Sequence, residues 1–297
     1  MKGLNLDHLR TLAEVVERGS FSAAAKAQGL TQPAISLQVR QLERRFATRL
    51  VERVGRHVKP TASGTALLAH VAHIEAAVQG ATDAMTARAG TVTGKVSIGT
   101  GATACTYLLP PLLADLRRRY PALDVVVRTG NTDDMLQALA QNTLDVALVT
   151  LPVGGRMFEI TPLLEDEFVA ISPKNMPLPA RVTAAALSRV PLVLFEPGAR
   201  TRHLVDDWFT RADAVAQPLM SLGSVEAIKE LVRAGLGCGV LPKMAMGGPR
   251  AGSKIDMASL SPRLHRTLGI VVRRDKPLNR GLQEVLNALR RQKTYRK

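Results

Sequence analysis

Residues 21–45 read FSAAAKAQGLTQPAISLQVRQLERR, the pattern of two helices joined by a tight turn. Ser22 to Ala27 are mostly strong helix formers. Gly29 permits the positive φ that a sharp turn needs. Thr31 supplies an N-cap hydroxyl, and Pro33 stands in the first turn of the next helix, where a missing N–H costs little. In that helix Ile35, Val39, Leu42 and Phe46 recur at helical spacing and form one buried stripe. At about 100° per residue, Pro33, Ser36, Leu37, Arg40 and Arg44 point the other way. A hydroxyl, an exposed leucine and two arginines suit a DNA major groove. Serine and glutamine (Gln32) meet base edges, leucine touches a thymine methyl, and arginine takes phosphate or guanine. The plainer alternative is a helical hairpin with a charged, solvated outer face.

The wording of this segment resembles the N-terminal signature of LysR-type transcriptional regulators (LTTRs): Ala24-Ala25, then Gly29 through Ser36, then Gln41-Leu42-Glu43. Leu50-Val51-Glu52-Arg53 and Pro60-Thr61-Ala62-Ser63-Gly64 follow, similar to the family's wing and the start of its linker helix. The family usually has phenylalanine near Val51 and leucine near Pro60, so packing of the wing differs here. The resemblance implies a winged helix-turn-helix in which Arg53 and Arg56 join Arg40 and Arg44 on the phosphates.

Length and charge fit a protein of several domains. At 297 residues, 46% hydrophobic and 22% charged, the chain is globular rather than disordered. Its net charge of +15 is unevenly spread: residues 1–64 carry +6, residues 65–262 none and residues 263–297 +9. A basic N-terminal module fits phosphate contacts; the basic C-terminus reads as a solvated helix and tail, or as a second DNA contact. The sequence shows neither the run of about 20 apolar residues that spans a membrane nor a signal-peptide core, so no membrane association and a cytoplasmic location are expected. Cys105 and Cys238 lack metal-ligand spacing and read as small side chains in a reducing compartment, with a redox switch as the rival reading.

Leu9, Leu12 and Val16 share a face of a first helix that props the other two. From about Thr61 to Arg88, Leu67, Val71, Ile74, Val78, Ala81 and Met85 keep an a/d repeat, the mark of a dimerising coiled-coil seam. The rival reading is a lone amphipathic helix on a domain surface. Thr91 to Gly94 read as a hinge.

Beyond Lys95 short apolar strands alternate with helices: Val96–Gly99, a helix through Leu116, Asp124–Arg128, a helix over Asp133–Ala140, Asp145–Val149, Phe168–Ile171, Leu192–Phe195, Gly239–Leu241, Thr267–Val272 and a last helix from about Gly281 to Arg291. Such alternation argues α/β structure with mostly parallel sheets. Leu144–Leu148 and Val232–Pro242 look like recurring phrases of the same family. The resemblance then implies a periplasmic-binding-protein-like effector domain of two α/β lobes. The expected division is a winged helix-turn-helix DNA-binding domain over 1–60, a linker and dimerisation helix over 61–90, and an effector-binding domain over 92–297. Lobe I takes 92–162 and 266–297, lobe II 163–265.

Ligands of open α/β sheets bind beyond the carboxyl ends of strands, at helix N-termini. Three loops qualify: Thr100-Gly101-Ala102-Thr103, Thr129-Gly130-Asn131-Thr132 and Pro197-Gly198-Ala199-Arg200-Thr201. Thr100, Gly101, Thr103, Thr129, Asn131, Arg200 and Thr201 are therefore candidate effector ligands, suited to an organic anion or small polar metabolite. The alternatives are N-cap hydroxyls without a ligand and an ordinary salt bridge for Arg200; Asp133 and Asp134 read as capping residues. Gly99-Thr100-Gly101 is not a phosphate loop, because its lysine and spacing are missing.

The expectation is a sequence-specific DNA-binding regulator, not an enzyme, with no cofactor and no metal. The resemblance implies as partners a double-stranded DNA operator, a small-molecule effector, RNA polymerase and further copies of the chain, as a homodimer or homotetramer. Two rivals fit less well. For an enzyme, no nucleophile triad or paired carboxylates appear, and of His8, His57, His70, His73, His203 and His265 only His70 and His73 are helical neighbours. A transport solute-binding protein would explain two lobes but not the first ninety residues.

Overall fold

The computed structural model describes residues 3–55, 57–86, 92–247 and 255–292. Arg56, Thr91 and the end of the expected linker, 87–90, lie outside the described residues. The chain forms two compact units, Met1–Thr82 and Asp83–Lys297.

The first unit runs α1 (Leu6–Arg18), α2 (Phe21–Gln28), α3 (Gln32–Phe46), β1 (Val51–Val54), β2 (His57–Pro60) and α4 (Ala62–Thr86). Each of the first three helices begins at a capping side chain: Asn5, Ser20 and Thr31 accept from Asp7, Ala23 and Ala34 backbone N–H groups. Each ends on a left-handed residue, Gly19, Gly29 and Ala47. Leu9, Leu12, Val15, Ala24, Ala25, Ile35, Val39 and Leu42 form their shared core, closed by Leu50 and Val58 from the wing. Two positions differ from the sequence reading. Val15 rather than Val16 is the fully buried residue of α1, because the face in contact follows a spacing of three. Phe46 is 41% exposed, being the last residue of α3, beyond the reach of the other helices.

The buried Thr11 hydroxyl lies 2.5 Å from Gln38 Oε1 and 3.1 Å from Gln28 Oε1, a polar knot joining α1, α2 and α3. Strands β1 and β2 pair antiparallel, Val51 with Pro60 through Val54 with His57, to make the wing. The Leu50 N–H donates to Glu43 Oε1 at 2.9 Å and so fastens the wing to α3. A Cβ at Gly64 would collide with the Leu50 carbonyl oxygen, so only glycine lets α4 start this close to the wing. Val71 of α4 is 2% exposed and belongs to this core, with Leu67, Leu68 and Ile74 packed on it. The first half of the expected seam thus covers its own domain. Val78 is half-buried, and Ala81 and Met85 are exposed, Met85 at 71%.

The second unit contains β3 (Gly94–Thr100), α5 (Ala102–Tyr107), α6 (Leu109–Arg119), β4 (Leu123–Thr129), α7 (Thr132–Ala140), β5 (Val146–Thr150), β6 (Phe158–Pro173), β7 (Arg181–Val182), α8 (Ala184–Leu187), β8 (Leu192–Phe195), α9 (Arg200–Thr210), β9 (Pro218–Leu222), α10 (Val225–Arg233), β10 (Cys238–Pro242), a 3-10 turn (Lys243–Met246), β11 (Ile255–Leu260), β12 (His265–Arg273) and α11 (Arg280–Arg291). The strand order is β4-β3-β5-β12-β6-β10-β8-β9, with β11 on β6 and β7 on β11. Parallel pairs lie at both ends, β3 with β4 and β5, β8 with β9 and β10. The middle is antiparallel, β12 with β5 and β6, β6 with β10 and β11. "Mostly parallel" therefore holds within each lobe and fails at the crossing strands, where β6 and β12 run between lobes.

The helix expected through Leu116 is broken at Leu108 into α5 and α6. Pro110 and Pro111 lie in the first turn of α6 and have no N–H with which to continue an earlier helix. Lobe I is packed around Val96, Ile98, Leu112, Leu148, Ile270 and Leu289, lobe II around Phe168, Leu194, Trp208, Phe209 and Val240. A buried lysine links the lobes: Lys229 Nζ on α10 donates to Tyr107 Oη on α5 at 2.9 Å, and to the Ala245 carbonyl at 3.0 Å.

Candidate functional site

Two surfaces carry chemistry, one in each unit. In the first, the outer face of α3 holds Gln32, Pro33, Leu37, Arg40 and Arg44 exposed and Ser36 half-buried. Gln32 Nε2 donates to Ser36 Oγ at 2.8 Å, so the two side chains present one polar edge. Leu37 is 51% exposed beside them. A hollow of about 420 Å³ runs between α3 and the wing, bordered by Gln32, Ser36, Arg40, Arg49 and Arg53. A second borders Arg40, Glu43, Arg44 and Arg49. Arg49, overlooked in the sequence, lies in both; its signal is a basic residue in the short link between α3 and the wing. Exposed arginines around a polar-and-apolar helix face match phosphate contacts flanking base contacts. Arg56, expected here, lies outside the described residues.

In the second unit, loops after β3, β4, β8 and β9 and the end of β5 open onto one cleft of about 330 Å³, with β12 as its floor. Gly101, Thr103, Thr129, Asn131, Arg200 and Thr201 all line it. Thr100 does not. It is the last residue of β3, fully buried, and its hydroxyl donates to the Leu148 carbonyl at 2.9 Å. Strand alternation puts it on the core face of β3 with Val96 and Ile98, which corrects its reading as a ligand. Asp134 Oδ2 accepts from the Asn131 N–H at 3.3 Å, a capping contact at the start of α7. Among the described residues Arg200 forms no salt bridge; its Nη2 reaches across the cleft to the Pro152 carbonyl at 2.7 Å.

The largest surprise in the cleft is Arg266 on its floor, only 5% exposed. Its Nε and Nη2 donate to Asp166 Oδ2 at 3.1 and 2.9 Å, and Asp166 Oδ1 accepts from the Met244 N–H at 3.1 Å. Asp166 and Arg266 face each other in the β6–β12 ladder. Burial pulls the Arg266 guanidinium below its ordinary pKa, and the charge and hydrogen bonds of Asp166 oppose that. Sequence reasoning missed the pair because its members are a hundred positions apart. A signal existed: Arg266 interrupts the alternation Leu264-Arg266-Leu268 with a charge where an inward-facing strand position expects an apolar residue.

Cys238 is buried with its Sγ 3.7 Å from Met176 Sδ, and burial pushes its thiol up to about 11. It stays protonated at neutral pH, which disfavours the redox-switch reading. Among the described residues no helix is long and apolar enough to cross a membrane.

Residues 6–65 match the family model described as bacterial regulatory helix-turn-helix protein, lysR family, and residues 89–294 match the LysR substrate binding domain. The transcriptional regulator CbbR of Xanthobacter flavus is 34% identical over 236 residues, 78% of this chain and 71% of CbbR. The uncharacterized regulator YeiE of Escherichia coli K12 is 31% identical over 288 residues, 96% of each chain. In fold, the chain is similar to a full-length OxyR from Pseudomonas aeruginosa (TM-score 0.76, 24% identity, 98% of this chain and 96% of that one). It is also similar to CbnR solved in complex with its target DNA (TM-score 0.71, 23% identity, 97% and 100%).

Proposed function

This chain belongs to the LysR family of bacterial transcriptional regulators, which bind DNA and are not enzymes, and on that premise we propose how it reads an operator and what it senses. The observation that carries the reading is the α3 face: Gln32 and Ser36 joined as one polar edge beside a half-exposed Leu37, flanked by arginines. Gln32, Pro33, Ser36 and Leu37 meet base edges in the major groove, while Arg40, Arg44, Arg49, Arg53 and Arg56 take phosphates. That CbnR was solved with its target DNA supports this use of a like fold.

The division of labour is a DNA-reading domain over 1–60, a linker helix over 61–90 and an effector domain over 92–297. Val78, Ala81 and Met85 pair with a second copy to make a homodimer, and two dimers make a homotetramer that spans paired half-sites. A small anionic effector binds in the cleft through Thr103, Thr129, Asn131, Arg200 and Thr201. Because the cleft takes walls from both lobes, occupancy shifts their equilibrium, by no more than the difference in affinity between the two arrangements. The assembly passes that change to RNA polymerase in the cytoplasm. The test is a gel shift with DNA from upstream of the protein's own gene against a shuffled duplex of equal composition. A retarded band with the first and not the second is expected; equal weak retardation of both defeats the reading.

A further inference from the structure

We propose that Arg266, oriented by Asp166, sets the chemistry of the effector: a ligand with one oxyanion head, seated on the cleft floor against the Arg266 guanidinium, the Thr201 hydroxyl and the first turn of α9. The proposal rests on the reading of this cleft as the effector site.

A guanidinium has five N–H donors in a fixed fork. Asp166 takes the Nε and Nη2 side of that fork, and among the described residues the Nη1 edge has a long contact of 3.4 Å to Thr201 Oγ1. Thr201 lines the cleft beside Arg266, so this edge and this hydroxyl lie together where an oxygen atom could displace their weak contact. The first turn of α9 adds donors, because its N-cap is Ala199, which has no side chain to accept from them.

The fork is held still. Both Asp166 oxygens are engaged, one by Arg266 and one by the Met244 N–H, and the guanidinium carbon stands 5.8 Å from the Phe168 ring centroid. A cation fixed before the ligand arrives loses little entropy on binding. Because Asp166 already answers its charge, Arg266 serves an oxyanion through its directed Nη1 donors rather than through a net positive field.

The remaining charges limit the ligand to one such head. Asp134 and Glu196 also line the cleft, and because Asp166 already neutralises Arg266, only Arg200 is left to offset them, an excess of one negative charge. Glu196 occupies space that a side chain on Gly223 would fill, its Oε1 lying 2.9 Å from where a Cβ would stand. A polyanion would meet these carboxylates; a ligand with an oxyanion at one end and a hydrogen-bond-donating or cationic group at the other satisfies both. A volume of about 330 Å³ is at the small end of ligand pockets, roughly 300–1,000 Å³.

Calorimetric titration of the full chain at constant ionic strength tests this with three probes: β-alanine (a carboxylate and an ammonium), sulfate and citrate. The wild type is expected to bind β-alanine or sulfate saturably and citrate least. Tighter β-alanine identifies a carboxylate head, tighter sulfate a tetrahedral one. The double variant Asp166→Leu with Arg266→Met leaves no orphaned charge, and its affinity should fall about 10- to 100-fold, the effect of a lost charge-assisted hydrogen bond. Arg266→Lys, which keeps the charge without the fork, should fall in the same direction and carries the test if the double variant does not fold by circular dichroism. Wild-type affinity in either folded variant, tighter citrate, or no binding by the wild type overturns the proposal. Asn131→Ala separates it from its premise. If Asn131→Ala abolishes binding while the Arg266 variants do not, the cleft reading survives alone; if none of them matters, the cleft reading falls as well.

Discussion

Replacing Val71 by alanine separates two jobs that α4 performs. Val71 is 2% exposed within its own chain, packed into the core shared by α1, α3 and the wing. The substitution removes two methyl groups at about 0.8 kcal/mol each. The cavity left behind adds roughly another 1 kcal/mol, so the expected loss is about 2–3 kcal/mol. For a unit the size of Met1–Thr82 that lowers its melting midpoint by on the order of 10 °C. The assay is thermal unfolding followed by far-ultraviolet circular dichroism at two widely separated protein concentrations. Because the contact is within one chain, the shift should be the same at both. Met85, 71% exposed, gives the contrast: Met85→Ala should lower the midpoint only as far as it weakens association, with an effect that depends on concentration. A Val71→Ala midpoint that matches the wild type in dilute protein would refute the reasoning and return Val71 to the intermolecular seam.

Further outcomes are expected elsewhere. Gly64→Ala forces a Cβ into the Leu50 carbonyl and should cost several times the usual ~1 kcal/mol of a point substitution, read as a loss of folded first unit by calorimetry. Thr100→Val removes a buried hydrogen bond to Leu148 and should cost about 1 kcal/mol while leaving ligand affinity in the cleft unchanged. Cys238 has a folded pKa raised from 9.0 to about 11; its contribution is full below pH 9 and is lost as the pH rises through 11. Urea unfolding followed by the fluorescence of Trp208, which shares its core cluster, should show the wild type losing more stability than Cys238→Ala over that window.

The parts of this fold that were legible in the sequence are those written in local chemistry. Thr31, Pro33 and the Ile35-Val39-Leu42 spacing specify α3 without help from the rest of the chain. The short apolar strands Leu192–Phe195 and Val146–Thr150 are equally local. Errors came where local pattern competes with longer-range geometry. The repeat through Leu67, Val71 and Ile74 is the same whether the apolar face meets a second copy or the chain's own domain, and periodicity does not distinguish them. Strand β6 was read only over Phe168–Ile171, because Glu165, Asp166 and Glu167 break its apolar run; its partner β12 lies a hundred residues away. That the three loops border one cleft is legible from their position after strands, whereas the Thr100 side chain follows the pleat of β3 rather than the loop. Asp166 and Arg266 escape a local reading for the reason that makes them informative: each is a charge at a core position that the other, a hundred residues away, neutralises.

The measurement closest to the central claim compares two α3 variants on two duplexes, an operator and its shuffled counterpart, by fluorescence anisotropy across a salt series. Gln32→Ala combined with Ser36→Ala should compress the operator-to-shuffled affinity ratio by roughly 1–3 kcal/mol per lost base contact. Arg44→Ala should weaken both duplexes alike and reduce the salt slope by about 1. An unchanged ratio in the Gln32, Ser36 double variant would mean that this face of α3 does not read the bases.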